Sequence, residues 1–138
     1  MHEFPPVFLA HYDEIALDKE RMPLHPAWKQ YVNLEYAGVL HVLTARDAGR
    51  LVGYHFSLVY PHLHYADVLC SFSDMFYLEK GYRAGGWGYI KFFLANEDML
   101  RTLGVKKMFV MTKIHKSMVA VMKRLKYTAI EYINSKWL

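Results

Sequence analysis

A short, basic and glycine-rich segment at residues 79–88 stands between a strand pattern and a helix pattern. It contains Arg83, Gly85, Gly86 and Gly88. Glycines let an anion approach the main chain without a Cβ in the way, and the first turn of a helix presents amide N–H groups and the positive end of its dipole. The segment therefore predicts a phosphate or pyrophosphate site. A glycine turn used only for tight packing is the alternative.

Several familiar kinds of site are excluded by spacing or composition. No Gly-Lys-Ser/Thr follows the loop, so it is not a Walker loop, and its glycines do not match the Gly-x-Gly-x-x-Gly dinucleotide pattern. The single cysteine, Cys70, excludes an internal disulfide framework and a thiolate zinc cluster. His62 and His64 form a His-x-His pair, but no third ligand is apparent, so we predict no metal site.

Asp74 is the leading candidate for a general base. It precedes Leu78 by four residues and is expected to share a strand face with Phe72 and Phe76. A carboxyl group among aromatic rings has a raised pKa, which suits a base that works near neutral pH. An aspartate that only makes a turn hydrogen bond at the start of the strand is the alternative, and Glu35 is a weaker candidate base.

The charge of the chain is strongly asymmetric. Residues 1–100 carry eight Lys or Arg against twelve Asp or Glu, whereas residues 101–138 carry nine against one. A basic last third on an acidic body suggests a polyanionic ligand, which could be a nucleotide cofactor, a nucleic acid or an acidic partner. A solvated basic helix without a ligand is the alternative.

The 138 residues are expected to form one domain, 1–138. Hydrophobic residues make up 54% of the chain, which is enough for a full core. The first residues lack the basic start and long apolar core of a signal peptide, and no apolar run approaches the ~18 residues of a membrane span. We therefore expect a soluble, cytoplasmic protein without a membrane partner.

Hydrophobic periodicity predicts a mixed α/β sheet covered by helices. A first helix begins near Pro6, and Ser117 is expected to cap a late helix that buries Met118, Val119, Met122 and Leu125. Residues 61–65 are predicted as a loop. The other predicted elements are helices at 27–37, 85–103 and 117–125, and strands at 39–45, 51–60, 68–78, 105–112 and 127–136.

The spacing Arg83-x-x-Gly86-x-Gly88 resembles the Arg/Gln-x-x-Gly-x-Gly/Ala pyrophosphate loop of the GNAT N-acetyltransferase superfamily. The predicted order of elements, from two opening helices and a hairpin to a closing strand, is also similar. The hairpin and the Pro61–Tyr65 segment further resemble small bacteriophage-encoded members. The resemblance implies a GNAT-like fold with a mostly antiparallel mixed sheet, and transfer of an acetyl group from acetyl-CoA to an amine that attacks the thioester directly.

The resemblance also assigns roles to particular residues. Three residues of the preceding strand would pair their backbone with the pantetheine arm, and six loop residues would bind the pyrophosphate of acetyl-CoA: Phe76, Tyr77 and Leu78, then Arg83, Ala84, Gly85, Gly86, Trp87 and Gly88. Family members often carry a tyrosine that protonates the leaving thiolate, and Met122 stands at that position here. Either His115, Ser117 or Tyr127 acts as the acid in its place, or the thiolate leaves without being protonated.

The acceptor is an amine of a small molecule or of a protein lysine or N-terminus. Two other functions stay open. One is a phage-type relative of the GNAT fold that modifies or binds nucleic acid, which the basic last third motivates; the other is a binding module that has lost catalysis, which Met122 motivates. A homodimer stays open as well, and a phage-encoded protein would act in the host cytoplasm.

Overall fold

The computed structural model describes residues 2–138. Its helices are α1 (Phe4–Ile15), α2 (Trp28–Tyr36), α3 (Trp87–Thr102) and α4 (Val119–Arg124), and its strands are β1 (Leu40–Asp47), β2 (Arg50–His62), β3 (Tyr65–Leu78) and β4 (Lys107–Val110). Two short 3₁₀ turns, Lys80–Tyr82 and Ala84–Gly86, connect β3 to α3. The predicted order of elements is confirmed as far as α4.

The four strands form one sheet in the order β1-β2-β3-β4. The first three strands are antiparallel, and β4 is parallel to β3. Ala48 and Gly49 close the first hairpin with φ values of +46° and +86°, the left-handed conformation that tight hairpin turns require. A mixed, mostly antiparallel sheet with flanking helices is therefore confirmed.

The second hairpin is longer than predicted. Strand β2 continues to His62 and β3 begins at Tyr65, so only two residues of the predicted loop at 61–65 form the turn. In this turn the amide of His64 donates to Nδ1 of His62, 3.1 Å away. The pair is thus part of the turn's own hydrogen bonding.

Strand β3 contains a bulge at Asp74. Phe56 pairs with Met75 and Ser57 with Ser73, which leaves Asp74 without a partner on β2. The extra residue reverses the alternation of faces, because side chains change sides at every residue of a strand. The prediction that Phe72, Asp74 and Phe76 share one face is therefore wrong.

Helices pack on both faces of the sheet. On one face, α1 contributes Phe4 and Phe8 to an aromatic cluster with Tyr54, Phe56 and Tyr77 of the sheet. On the other face, Phe93 and Leu100 of α3 are fully buried, and Leu100 packs against Val59 of β2. Burial of each large side chain contributes about 1.5–3 kcal/mol. These two packed layers fix the position of the end of β3 relative to α3.

Helix α4 differs from its prediction. Met118, and not Ser117, occupies the position before the first helical residue, and the helix has only six residues. Val121 is its one buried side chain, whereas Val119 is exposed. The helix packs against Gly86 at the start of α3, and this tertiary contact selects the buried face.

The predicted closing strand at 127–136 does not form, and these residues have no regular secondary structure. The predicted strand at 105–112 is reduced to Lys107–Val110. Alternation of apolar residues shows only that a segment could lie on a sheet, since a strand also needs a partner for its backbone groups. The short β4 pairs only with β3.

Candidate functional site

Strands β3 and β4 separate beyond their first four paired residues. Cys70–Ser73 pair with Lys107–Val110, and β3 then continues to Leu78 with no partner on the β4 side. The backbone of residues 74–77 therefore keeps free hydrogen-bonding groups along one edge. This edge opens into a cleft of about 930 Å³.

The cleft brings the three predicted catalytic residues together. Asp74 comes from the bulge, and His115 and Ser117 come from the connection between β4 and α4. Of the predicted cofactor-binding residues, Phe76, Tyr77 and Arg83 line the same cleft, and Leu78 ends the strand beside it. The glycine-rich loop follows directly and leads into α3.

Three other residues that the sequence analysis considered do not line the cleft. Glu35 is exposed on α2, and His62 lies at the β2–β3 turn. The Tyr127 hydroxyl donates to Oε1 of Glu97, 3.1 Å away, on the α3 side of the sheet. Burial and the neighbouring Glu97 raise the pKa of Tyr127, so this phenol is poorly placed to supply a proton in the cleft.

The glycine-rich loop is a compact, left-handed turn. Ala84, Gly85 and Gly86 have φ values of +30°, +60° and +92°. The amides of Gly86 and Gly88 both donate to the Arg83 carbonyl, at 2.8 and 3.3 Å. A Cβ on Gly88 would lie 1.7 Å from the Tyr82 carbonyl oxygen, so close packing of the backbone requires glycine there.

The Arg83 side chain links this loop to α1. Its guanidinium makes a bidentate ion pair with Glu14, at 2.7 and 2.8 Å, and its Nε donates to the Leu78 carbonyl at 2.6 Å. The group also lies over the rings of Tyr77 and Tyr89. The Arg83 side chain is therefore committed within the protein, and the sequence analysis missed its partner Glu14.

Two lysines supply positive charge near the loop. The hydrogen bond from Arg83 lowers the pKa of Glu14, and the charges of Arg83, Lys80 and Lys116 lower it further. Lys80 and Lys116 have no ion pair within residues 2–138. They remain available to an anion at this end of the cleft.

Asp74 also lines the cleft, exposed on the bulge of β3. Desolvation of its carboxyl group raises the pKa of Asp74 above the ordinary range. Burial and then the Asp74 charge raise the pKa of the Tyr31 phenol. Tyr31 packs against Phe56 with ring centroids 5.3 Å apart, and Phe56 pairs with Met75, the residue after Asp74. A raised carboxyl pKa is the property expected of a general base.

His11 is a cleft residue that the sequence analysis did not single out. A hydrogen bond of 2.6 Å joins its Nδ1 to the Tyr54 hydroxyl, and its ring stacks on Tyr77. Burial lowers the pKa of His11 to about 4, so the ring is neutral at pH 7. The sequence signal that could have identified His11 is its helical spacing from Phe4, Val7 and Phe8, which puts it on the buried side of α1.

The segment after β4 and the C-terminal residues both contact the chain at the end of α1 and just beyond it. His115 Nε2 donates to the Ile15 carbonyl at 3.1 Å, and Ser117 Oγ accepts the amide of Val119 at 3.5 Å. Near the C-terminus, Trp137 Nε1 donates to Asp18 at 3.2 Å, and the Arg21 guanidinium lies over the Trp137 ring. The end of the chain thus crosses one side of the cleft opening.

Two absences hold for residues 2–138. No group of three or more His, Cys, Asp or Glu side chains could hold a metal ion there. None of the helices in that range combines the length and the apolar character needed to cross a membrane.

No protein-family model and no curated protein matches this sequence. Among solved structures, the chain is similar to an aminoglycoside acetyltransferase from an uncultured soil metagenomic sample, in complex with sisomicin. The TM-score is 0.72, with 16% identity over 99% of this chain and 85% of that chain. It is also similar to the ribosomal-protein-alanine N-acetyltransferase of Brucella melitensis biovar Abortus, with a TM-score of 0.67 and 18% identity over 99% and 91% of the two chains.

A third similar structure is AAC(6')-Iy in complex with the bisubstrate analog CoA-S-monomethyl-acetylneamine. The TM-score is 0.63, with 17% identity over 96% of this chain and 92% of that chain. At these identities the likeness establishes the architecture. The protein has a GNAT-like fold, as the loop spacing and element order had predicted.

Proposed function

We propose that this protein is an acetyl-CoA-dependent N-acetyltransferase that transfers the acetyl group directly to an amine. The separation of β3 and β4 beside the left-handed glycine loop carries the proposal. In a GNAT-like fold this opening offers backbone groups to an extended ligand arm, and the loop leads it toward the start of α3. The AAC(6')-Iy complex with a CoA-containing analog supports the same ligand chemistry for this architecture.

The cleft residues suit each part of the reaction. The amine nitrogen attacks the thioester carbonyl, a C–N bond forms, and the C–S bond breaks to release the thiolate. Asp74 accepts a proton from the substrate ammonium and so releases the neutral amine that attacks, because its raised pKa makes it a better base than an ordinary aspartate. His115 or Ser117 lies on the cleft wall to protonate the thiolate, whereas Met122, at the usual tyrosine position, is not among the residues that line the cleft.

Phosphate recognition is assigned to the loop amides of Ala84 and Gly85, because the amides of Gly86, Trp87 and Gly88 already donate to carbonyls within the turn. Lys80 and Lys116 are the charged neighbours. The Arg83 side chain holds the loop in place through Glu14. The ion pair supports this assignment, since an arginine already in a bidentate ion pair would have to break it to reach a phosphate.

The test is acetyl-CoA binding by isothermal titration, with Gly86→Val and Gly81→Val as a matched pair. Gly86 has φ +92° and a Cβ there would meet Val121 at 3.2 Å, whereas a Cβ on Gly81 would meet nothing within 4 Å. We expect binding to wild type and to the Gly81 variant, and at least about 10-fold weaker binding to the Gly86 variant, because valine strains the left-handed turn. Equal affinities in all three proteins would disprove the loop assignment.

Catalysis needs a second measurement, release of free CoA in the presence of an amine panel. Binding without release by any amine would support a binding module that has lost catalysis. The resemblance to bacteriophage-encoded members adds to the proposal that the protein acts in the cytoplasm of a phage host.

A nucleic-acid partner is the second candidate. Lys106, Lys107, Lys123 and Lys126 are exposed on β4, α4 and their connections, and none of them lines the cleft. Phosphate contacts give binding that weakens steeply with salt. Binding of a DNA duplex with such a salt dependence, together with no affinity for acetyl-CoA, would favour this function.

A further inference from the structure

A cluster of buried polar side chains lies between the sheet and α3. His55 and Ser57 come from β2, Ser71 and Ser73 from β3, and Asn96 from α3, and each is at most 1% exposed. A hydrogen bond of 2.6 Å joins His55 Nε2 to Ser73 Oγ. Asn96 Nδ2 donates to Ser57 Oγ at 3.4 Å. The cluster therefore connects α3 to the two central strands of the sheet.

Part of this cluster is unpaired. Three of its atoms have no hydrogen-bond partner in the part of the chain that the structure describes: His55 Nδ1, Ser71 Oγ and Asn96 Oδ1. A buried polar atom without a partner lowers the stability of the folded protein, so apolar side chains of similar size would make a more stable core here. A role other than stability would explain why the residues are polar.

Ser73 is the last residue of β3 that is paired on both sides. It pairs with Ser57 of β2 and with Val110 of β4. The next residue, Asp74, forms the bulge at which β3 and β4 separate. A contact that fixes Ser73 therefore fixes one flank of the bulge.

His55 contacts both flanks of the bulge. Its Nε2 is hydrogen-bonded to Ser73, the residue before Asp74, and its ring packs against Phe76, two residues after Asp74, with centroids 5.5 Å apart. Phe93 of α3 packs edge-on against the same ring at 5.0 Å. The imidazole is fully buried, and burial lowers the pKa of His55 to about 3, so the ring stays neutral at pH 7. A single uncharged ring thus holds the strand on both sides of Asp74.

We infer that His55 is a positioning residue, which holds the β3 bulge, and with it Asp74, through Ser73 and Phe76. The inference rests on the proposed function, in which Asp74 is the base. Asp74 has no β2 partner of its own, so the position of its carboxylate depends on the two flanks of the bulge. His55 is not among the residues that line the cleft, so it acts without touching a substrate.

The test compares Ser73→Ala with Ser71→Ala. Both serines are buried on the same face of β3, but Ser73 has the hydrogen bond to His55, whereas Ser71 Oγ is one of the three unpaired atoms. Carbon-13 NMR of the Asp74 carboxyl group gives its pKa on the protein alone. Because desolvation raises this pKa, we expect it to fall toward the ordinary range in Ser73→Ala, where the loosened bulge admits water, and to keep its wild-type value in Ser71→Ala. An unchanged pKa in Ser73→Ala, or the same fall in both variants, would overturn the inference.

Steady-state kinetics give a second readout. Release of free CoA is measured with the amine of the panel that gives the fastest wild-type rate. We expect kcat to fall about 10-fold in Ser73→Ala and to stay unchanged in Ser71→Ala, since a small displacement of a reacting group costs rate steeply. The KM for acetyl-CoA should be unchanged in both variants, because Arg83 and Glu14 hold the loop separately. A higher KM with an unchanged kcat in Ser73→Ala would contradict the positioning of the base.

Ser73→Cys is the second variant for the case in which thermal unfolding shows that Ser73→Ala does not fold. It keeps nearly the same volume and weakens the hydrogen bond to His55, because a thiol is a weak donor and a weak acceptor. We expect the pKa of Asp74 to change in the same direction by a smaller amount. A wild-type pKa of Asp74 in Ser73→Cys would also refute the inference.

The two readouts separate this inference from the proposed function. A lower Asp74 pKa in Ser73→Ala alone, with no release of CoA by wild type for any amine, would support the contact between His55 and the bulge and refute the proposed enzyme. Turnover by wild type, with the same kcat and the same Asp74 pKa in Ser73→Ala, would support the enzyme and refute the positioning role of His55.

Discussion

At the scale of single residues, Asp74 is the group on which the proposed chemistry depends. The bulge places it at the cleft without a β2 partner, and desolvation raises its pKa. We expect Asp74→Asn to lower kcat by about 10²-fold, the usual loss for a positioned base, while acetyl-CoA affinity is unchanged. His115→Ala should lower kcat less, because a thiol with a pKa of about 8.5 leaves readily as a thiolate.

The pH–rate profile of the wild type checks the same assignment. A base acts only when deprotonated, so kcat should fall as the pH drops through the raised pKa of Asp74, giving one rising limb. That limb should be missing in Asp74→Asn. Wild-type rates in the asparagine variant would exclude Asp74 as the base.

Two buried histidines predict a loss of stability in acid. Burial lowers the pKa of His11 to about 4 and that of His55 to about 3, against an ordinary value of 6.5. Below pH 6.5 the two histidines are protonated in the unfolded chain but stay neutral in the folded protein. The free energy of unfolding should therefore fall as the pH drops from 6.5 toward 3–4. Each histidine contributes up to ~1.4 kcal/mol to this fall for each pH unit.

Urea denaturation across this pH range measures that slope. His55→Gln should flatten it, because glutamine does not titrate, whereas His64→Gln at the exposed turn is the matched control. His55→Gln also removes the partner of Ser73, whose Oγ lies 2.6 Å from Nε2. Parallel slopes in wild type and His55→Gln would show that His55 is not excluded from protonation.

At the scale of elements, the Arg83–Glu14 ion pair couples α1 to the loop before α3. Both side chains are largely shielded, at 22% and 14% exposure. Glu14→Gln leaves the guanidinium without its counter-charge, so we expect the free energy of unfolding to fall by about 1–3 kcal/mol and acetyl-CoA affinity to weaken as the loop loosens.

Glu3→Gln is the control for this prediction. Glu3 pairs with Arg46 at the surface, where both partners are about 40% exposed. Exposed ion pairs are screened by solvent and contribute little to stability, so this variant should be nearly as stable as wild type. Equal unfolding free energies for the Glu14 and Glu3 variants would mean that the Arg83 contact does not hold the loop.

At the scale of the whole molecule, two basic regions make separable predictions. Lys116 lies at the loop end of the cleft, and Lys126 lies exposed beyond α4. If the cleft binds acetyl-CoA, its Kd should rise with salt, because the phosphates would interact with partly exposed lysines.

Lys116→Gln should raise the Kd for acetyl-CoA and reduce its dependence on salt, whereas Lys126→Gln should change neither quantity. Pantetheine, which has no phosphates, should bind with a Kd that responds little to salt. Titrations between 50 mM and 500 mM NaCl would measure this, and an unchanged Kd for Lys116→Gln would remove Lys116 from the site.

Local patterns in the sequence determined most of the elements and the place of the loop. The periods of helix and strand depend on neighbouring residues, and the glycines at 85, 86 and 88 are set by backbone conformation within a few residues. The first two helices, the hairpin, α3 and the GNAT-like spacing could all be predicted for this reason. The placement of Asp74, His115 and Ser117 at one site was expected from the family resemblance, not from local periodicity.

Only the tertiary structure decided what those residues contact. The bulge at Asp74 is a property of two paired strands, and the Arg83–Glu14 and His11–Tyr54 contacts join residues 69 and 43 positions apart. The tail at 127–136 has a strand's alternation but no partner edge. Strand register, ion pairs and strand partners depend on which segments contact each other in the folded chain. Local periodicity does not contain this information.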